Sequence, residues 1–153
     1  LVLTLQGNIM ELSTKSRYAV MALLDLAQHE SEANLVSLNE IAARQGISVS
    51  YLEQLFSKLR RSGLVIAKRG PAGGYKLARP SAKIEIASIV KAVEEEIKAT
   101  GCDPDKRAGC AGRETKCVAH DLWAALTMHI HEFMAKVSLE DVLEGRLTAS
   151  KRN

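Results

Sequence analysis

The sequence predicts a mainly α-helical protein with one small β-hairpin and a long helix near its end. Three observations carry that reading. Apolar residues recur at helical spacing in successive stretches, several of them opening on a serine or threonine able to cap a helix. The period turns strand-like between Gly63 and Pro80, on either side of the run Gly70-Pro71-Ala72-Gly73-Gly74. Further on, Leu122, Leu126, Ile130, Phe133, Met134 and Val137 form one long apolar stripe with Trp123 beside it.

At 153 residues the chain can bury one core, so one domain with an added element is expected. Hydrophobic residues at 46% and charged residues at 25% exclude a disordered chain, and aromatic residues at only 4% leave the core to aliphatic side chains. No run approaches the ~20 apolar residues of a membrane-spanning helix. The stretch from Leu1 to Ile9 lacks the basic start of a signal peptide. A cytoplasmic protein without membrane contact is therefore expected, with residues 1–9 read as an extension or remnant outside the fold.

Ser13 or Thr14 caps a first helix that runs to about Gln28, with Tyr18, Met21, Ala22, Leu24 and Ala27 at helical spacing. Ser31 to Ser37 is polar and reads as a loop. A second helix from Leu38 to Gln45 buries Leu38, Ile41 and Ala42, and Gly46 supplies the positive φ of a tight turn. Ser48 is placed to cap a third helix, whose stripe is Leu52, Leu55, Phe56 and Leu59 and which Gly63 ends. Helix, glycine turn and helix make a helix-turn-helix. The hairpin that follows, Leu64 to Ala67 and Tyr75 to Ala78, turns it into a winged helix-turn-helix over residues 10–80. Residues 81–147 then hold a helix from Ile86 to Ile97, an irregular segment from Thr100 to Lys116, a long helix from Cys117 to Val137 and a short helix capped by Ser138. Residues 148–153 read as a tail.

Charge is unevenly spread. The net charge is +3, yet no acidic residue occurs between Glu53 and Glu85, where Lys58, Arg60, Arg61, Lys68, Arg69, Lys76, Arg79 and Lys83 all fall. Such a run is an electrostatic footprint for phosphate. The N-terminal residues of the second helix of a helix-turn-helix enter the major groove, and here those are Ser48, Ser50, Tyr51, Glu53 and Gln54. Gln54 can read adenine, a serine either base edge, and Glu53 cytosine. The same residues admit a structural use: Ser48 or Ser50 as caps, Glu53 closing a capping box with Ser50, Gln54 as a solvated position. At the hairpin tip, Gly70, Gly73 and Gly74 let backbone approach a phosphate chain while Arg69 reaches into a groove. Lys58 and Arg60 add to the same basic surface, whose expected partner is a double-stranded DNA operator.

Three cysteines cannot all pair with one another, and a reducing compartment disfavours disulfides. Cys102, Cys110 and Cys117 are separated by seven and six residues, and His120 follows Cys117 by three. On the start of a helix, positions 117 and 120 face the same way, so three thiolates and an imidazole can surround one point. Soft thiolates select zinc or an iron-sulfur centre, and spacing alone does not choose between them. Zinc sites favour tight Cys-x2-Cys pairs, which are absent here, whereas wide glycine-punctuated intervals suit a bulkier cluster. His29, His129 and His131 read as surface or dimer-face residues.

Three segments carry a resemblance: Met10 to Val20, Gln45 to Phe56, and Arg69 to Tyr75. They are similar to the IscR-type iron-sulfur cluster regulators, a bacterial winged-helix family that also holds NsrR and CymR. The resemblance spans nearly all of Met10 to Gly145. It implies a homodimer paired through the long helix, with a 2Fe-2S cluster on Cys102, Cys110, Cys117 and His120. It also places Ser50, Glu53, Gln54 and Arg69 at DNA-reading positions. The NsrR branch, which senses nitric oxide, implies instead a 4Fe-4S cluster on three cysteines. Regulation of iron-sulfur biogenesis genes, as repressor or activator, follows as the expected function, with cluster donor proteins as further partners.

Two other classes compete. A zinc-stabilised winged helix used for protein contact is disfavoured by the basic wing. A cysteine enzyme with Cys117 as nucleophile and His120 as base lacks an orienting third group and an oxyanion site, so no enzyme is expected.

Overall fold

The computed structural model describes residues 12–94 and 115–147. Helix α1, Thr14–His29, opens on Ser13, whose Oγ accepts from the Ser16 amide at 3.3 Å. Helix α2, Leu38–Gln45, has a full capping box: Ser37 Oγ accepts from the Glu40 amide, and the Glu40 carboxylate accepts from the Ser37 amide at 2.7 Å. Gly46 ends α2 at φ 65°, a left-handed conformation that costs glycine little, and Ser48 starts α3, Val49–Arg61. Strands β1, Val65–Lys68, and β2, Gly74–Leu77, pair antiparallel with Val65 opposite Leu77 and Lys68 opposite Gly74. Helices α4, Ile86–Val93, α5, His120–Lys136, and α6, Leu139–Leu143, complete the described chain. No helix among the described residues is long and apolar enough to cross a membrane. The architecture is the mainly α winged helix-turn-helix with a long following helix that the sequence predicts.

Helix α1 lies in the middle, against α2, α3, α4, α6 and β2. Its fully buried apolar positions are therefore Ala19, Ala22, Leu23 and Leu26, while Tyr18, Met21, Leu24 and Ala27 are half-buried flanks. A helix enclosed on several sides has no single stripe, which is why the expected face is displaced. Phe56, Leu52 and Leu59 from α3 join Leu23, Leu26, Ile41, Leu64, Ile89 and Leu139 in one core.

Three further expectations are corrected. Helix α4 ends at Val93, not Ile97: Glu94 turns extended, at φ −129° and ψ 148°, and its carboxylate accepts from the buried Ser16 hydroxyl at 2.9 Å. Helix α5 begins at His120 and ends at Lys136, because Val137 is drawn into extended backbone, where its carbonyl accepts from the Ile86 amide at 2.9 Å. The Leu139 amide likewise donates to the Ile84 carbonyl, which returns α6 to the start of α4 and Leu139 to the core. Finally, the loop before α2 is not wholly irregular, since Val36 pairs with Tyr75 on the outer edge of β2.

One charge is buried in this core's margin. Asp25 of α1 is 2% exposed and accepts two hydrogen bonds from Arg44 Nε, one from the Arg44 terminal nitrogen at 2.7 Å and one from Gln45 at 2.7 Å. Burial opposes its ionisation, but the Arg44 and Gln45 hydrogen bonds, with the charges of Arg44 and His29, outweigh burial and hold the carboxyl below its usual range. The cluster ties the middle of α1 to the end of α2. Because the folded pKa lies below the unfolded one, its stabilisation is present above the ordinary carboxylate range and is lost as pH falls through the folded value. Arg44→Ala, which strands the carboxylate, should cost about 3 kcal/mol and move acid unfolding to higher pH. Denaturant titration across pH 2 to 7 measures both; an unmoved acid limb contradicts this assignment.

Candidate DNA-reading face and cysteine corner

Helix α3 buries Leu52, Leu55, Phe56 and Leu59 and turns Ser50, Glu53, Gln54, Ser57, Arg60 and Arg61 outward. Ser48 is the cap, with its Oγ accepting from the Tyr51 amide at 3.2 Å. That places Tyr51, not Glu53, at the position a capping box would use. Among the described residues the side chains of Glu53 and Gln54 make no hydrogen bond or ion pair. Tyr51 is held edge-on against Tyr18 of α1, with ring centroids 5.8 Å apart. Lys58 points elsewhere: its ammonium donates to the Val93 carbonyl of α4 at 3.2 Å.

Between α3 and β2 lies a groove of about 400 Å³ lined by Glu53, Ser57, Arg60, Arg61 and Tyr75. Arg61 donates to Ser57 Oγ at 3.3 Å. Ser57 and Tyr75 carry no sequence signal for this place, since only the packing of the hairpin on α3 brings Tyr75 there. Arg61 is visible in the basic run but indistinct from its neighbours.

The wing is tightly built. Its turn closes with the Gly73 amide donating to the Gly70 carbonyl at 2.9 Å, and a Cβ on Gly73 would lie 2.2 Å from the Lys68 carbonyl oxygen. A Cβ on Gly74 would lie 2.8 Å from the Val36 carbonyl oxygen, because Val36 and Tyr75 exchange backbone hydrogen bonds of 3.0 and 2.7 Å. The Tyr75 ring meets Phe56 edge-on at 4.8 Å, and the Glu30 carboxylate accepts from the Leu77 amide. Gly73 and Gly74 therefore have structural duties, while Gly70 and the exposed Arg69 stand at the tip.

Cys117 precedes α5 instead of standing on it. A turn still brings it to His120, whose amide donates to the Cys117 carbonyl at 3.0 Å. The thiol is free and half-buried, and His120, the first residue of α5, is 4% exposed. Cys102 and Cys110 lie outside the described residues. Among the described residues no group of three metal-ligating side chains forms. A thiol and a buried imidazole one turn apart are a soft donor pair that suits iron or zinc more than a hard cation.

Beyond this corner, α5 does not bury its whole stripe. Leu126, Ile130 and Met134 are half-buried, whereas Leu122 and Phe133 are each 60% exposed and Met128 is 62% exposed. Leu122 and Phe133 share one flank of the helix and Met128 lies on the other, and the described residues leave all three largely exposed.

Comparison with known proteins locates the chain. The sequence model of the Rrf2 family, described as iron-dependent transcriptional regulator, matches residues 12–145. The HTH-type transcriptional regulator IscR of Cereibacter sphaeroides is 46% identical over 139 residues, 90% of each chain. Among solved structures, T. potens IscR superposes with a TM-score of 0.70 at 36% identity, covering 94% of this chain and 93% of that one. CymR, the global cysteine regulator of B. subtilis, superposes at 0.73 with 30% identity, over 90% and 98% of the two chains.

Wing geometry yields a test. Gly74→Ala should push Val36 from β2 and cost about 1–3 kcal/mol, the usual range for overpacking. Faster amide exchange at Val36 and Tyr75 and a lowered unfolding temperature would register it; unchanged exchange at both would mean that the close approach is not tight.

Proposed function

The chain belongs to the Rrf2 family of iron-dependent transcriptional regulators, where it stands with the IscR-type DNA-binding regulators and not with enzymes, and we propose that it senses iron-sulfur cluster supply and controls the biogenesis genes. The observation that carries this reading is the pairing of two features in one core. An outward reading face sits beside an arginine-tipped wing, and a thiol and imidazole corner precedes the helix that leaves Leu122, Met128 and Phe133 exposed.

In this reading the protein works in the bacterial cytoplasm as a homodimer joined through α5. Burying Leu122, Met128 and Phe133 against a second copy removes apolar surface from water. Ser50, Glu53 and Gln54 face base edges from the first turns of α3, and Arg60 and Arg61 face phosphate. Tyr51, braced by Tyr18, fixes the approach of the helix, and Ser48 holds its first turn. Arg69 enters a groove from the wing tip, for which a narrow minor groove is the natural seat. Glu53 acts by exclusion: an unpaired carboxylate at the groove repels phosphate and accepts only from a suitably placed donor.

Cys102, Cys110, Cys117 and His120 are the residues that would hold a 2Fe-2S cluster, supplied by cluster donor proteins. Bound there, the cluster supplies an iron centre whose presence depends on cellular iron and sulfide. His120 brings a neutral nitrogen donor in place of a fourth thiolate. It leaves less negative charge on the site and so raises its reduction potential.

Anaerobic purification with absorbance, iron and sulfide analysis tests the cofactor. About two irons and two sulfides per chain are expected for a 2Fe-2S cluster. A 4Fe-4S stoichiometry would move the protein toward the NsrR branch, and zinc alone would overturn cluster sensing. His120→Cys should lower the reduction potential, and an unchanged cluster in His120→Ala would remove His120 from the ligand set.

DNA reading has its own test on a palindromic operator. Affinity should fall linearly in log-log salt, Arg69→Ala should weaken it by about 1–3 kcal/mol, and Glu53→Ala should admit more sequences with helix stability unchanged. Equal site preference in wild type and Glu53→Ala would refute the exclusion role.

A further inference from the structure

The outer edge of the wing is finished by a side chain. Tyr75 and Leu77 of β2 turn their backbone amides away from β1, where a third strand would pair with them. Val36 serves Tyr75, exchanging bonds of 3.0 and 2.7 Å in the antiparallel sense. The same ladder carried on would set Asn34 opposite Leu77. Asn34 is committed elsewhere: its amide donates to the Ser31 carbonyl at 3.2 Å, its carbonyl accepts from the Ser31 amide at 3.0 Å, and its side-chain amide donates to the His29 carbonyl at 3.2 Å. The amide of Leu77, a buried residue, is left to the Glu30 carboxylate, which accepts it.

Glu30 suits this duty because its own backbone is fixed. It is the residue that ends α1, and its amide donates to the Leu26 carbonyl at 2.9 Å. Lys76 and Arg79 line the same cleft of about 470 Å³, yet among the described residues Glu30 forms no ion pair with either. The wing thus takes from Glu30 an acceptor at a set reach more than a charge. The bond stands at the root of the hairpin, since Leu77 faces Val65, the first residue of β1. Arg69 comes four residues after Val65. Along an extended strand that is about 13 Å, so a tilt of about 10° at the root moves it by about 2 Å. Binding constellations tolerate only about 0.5 Å.

We infer that Glu30 is a positioning residue for DNA reading: by accepting the Leu77 amide it fixes the tilt of the wing on α1, and so the seat of Arg69 in its groove. The inference deepens the DNA-reading proposal above and rests on it. Reach and charge can be separated at this position. Glutamine keeps the acceptor at the same length without the charge, whereas aspartate keeps the charge one methylene short.

The test measures affinity for a palindromic DNA duplex selected by the wild-type protein from a random-sequence pool. The full chain carries Glu30→Ala, Glu30→Gln or Glu30→Asp, each with Arg69 intact and in Arg69→Ala, and exchange at the Leu77 amide is followed in the free protein. With Arg69 intact, Glu30→Ala and Glu30→Asp should each weaken binding by about fivefold, the lower end of what a base-reading arginine supplies, and speed Leu77 exchange. Glu30→Gln should stay within about twofold of wild type in affinity and leave the exchange unchanged. In the Arg69→Ala background all three should bind within about twofold of Arg69→Ala alone, because no arginine is left there to be misplaced. Losses by one factor in both backgrounds would make Glu30 a residue of the fold alone. Affinity that followed charge, with Glu30→Asp like wild type and Glu30→Gln like Glu30→Ala, would make its effect electrostatic. Either result overturns the inference, as does unchanged Leu77 exchange in Glu30→Ala. Wild-type affinity in Arg69→Ala alone would instead refute the groove role of Arg69, and the positioning with it.

Discussion

The rest of the structure depends on how one carboxylate is kept charged out of water. Asp25 sits on the central helix with almost no exposed surface, and an isolated buried carboxylate would either neutralise or unfold its surroundings. Arg44 and Gln45 prevent that with hydrogen bonds to both of its oxygens. Those two residues are the last of α2, immediately before Gly46 and the reading helix. An apolar contact at this place would be satisfied by a range of slides and tilts; the fork of a guanidinium on a carboxylate is satisfied by few. The angle between α1 and the turn is thereby fixed, and with it the direction in which α3 presents Glu53 and Gln54.

Much of this was legible in the sequence because it is local. The capping serines, the glycine of the turn and the stripe of α3 act within a few residues, so α2 falls at its expected bounds and α3 opens on its expected cap. What escaped is long-range. Asp25 lies nineteen residues from Arg44, and nothing near it in sequence marks it as buried. Val36 sits in a polar stretch and becomes a strand residue only because Tyr75 arrives beside it. Glu94 looks like the continuation of a helix until Ser16 claims its carboxylate. Each was decided by a partner thirty-nine or more residues away, or in the Arg44 case by one on a different helix.

The candidate site divides along the same line. Reading-helix residues were recognisable because position in a helix-turn-helix assigns them a groove-facing role, and the structure turns Glu53 and Gln54 outward. Lys58 shows the limit of that logic. Composition counts it among eight cations in a run, but its place one turn after Gln54 aims it at α4. Net charge identifies a face that attracts DNA, and only packing says which cations are free to meet it. At the cysteine corner the spacing from 117 to 120 placed the pair together for the wrong local reason, a shared helix face, when a turn closed by the Cys117 carbonyl does so.

A regulator of this kind needs its reading helix to be stable and yet responsive, and the core explains how both hold. Helices α3, α4 and α6 share the packing around α1, so moving the whole of α4 would disturb Ile89, Val90 and Val93 together and cost cavities on the scale of several kcal/mol. A response of that size exceeds the 1–3 kcal/mol typical of coupling between sites. The helix end is a different matter. Glu94 is half-buried, and its anchors are its own amide's bond to the Val90 carbonyl, the Ser16 hydroxyl and, one residue back, the Lys58 ammonium on the Val93 carbonyl, each a hydrogen bond worth a small fraction of the core. The tie between α4 and α3 at this point is thus weak beside the core, while Asp25 and the aliphatic core keep the helix-turn-helix itself intact.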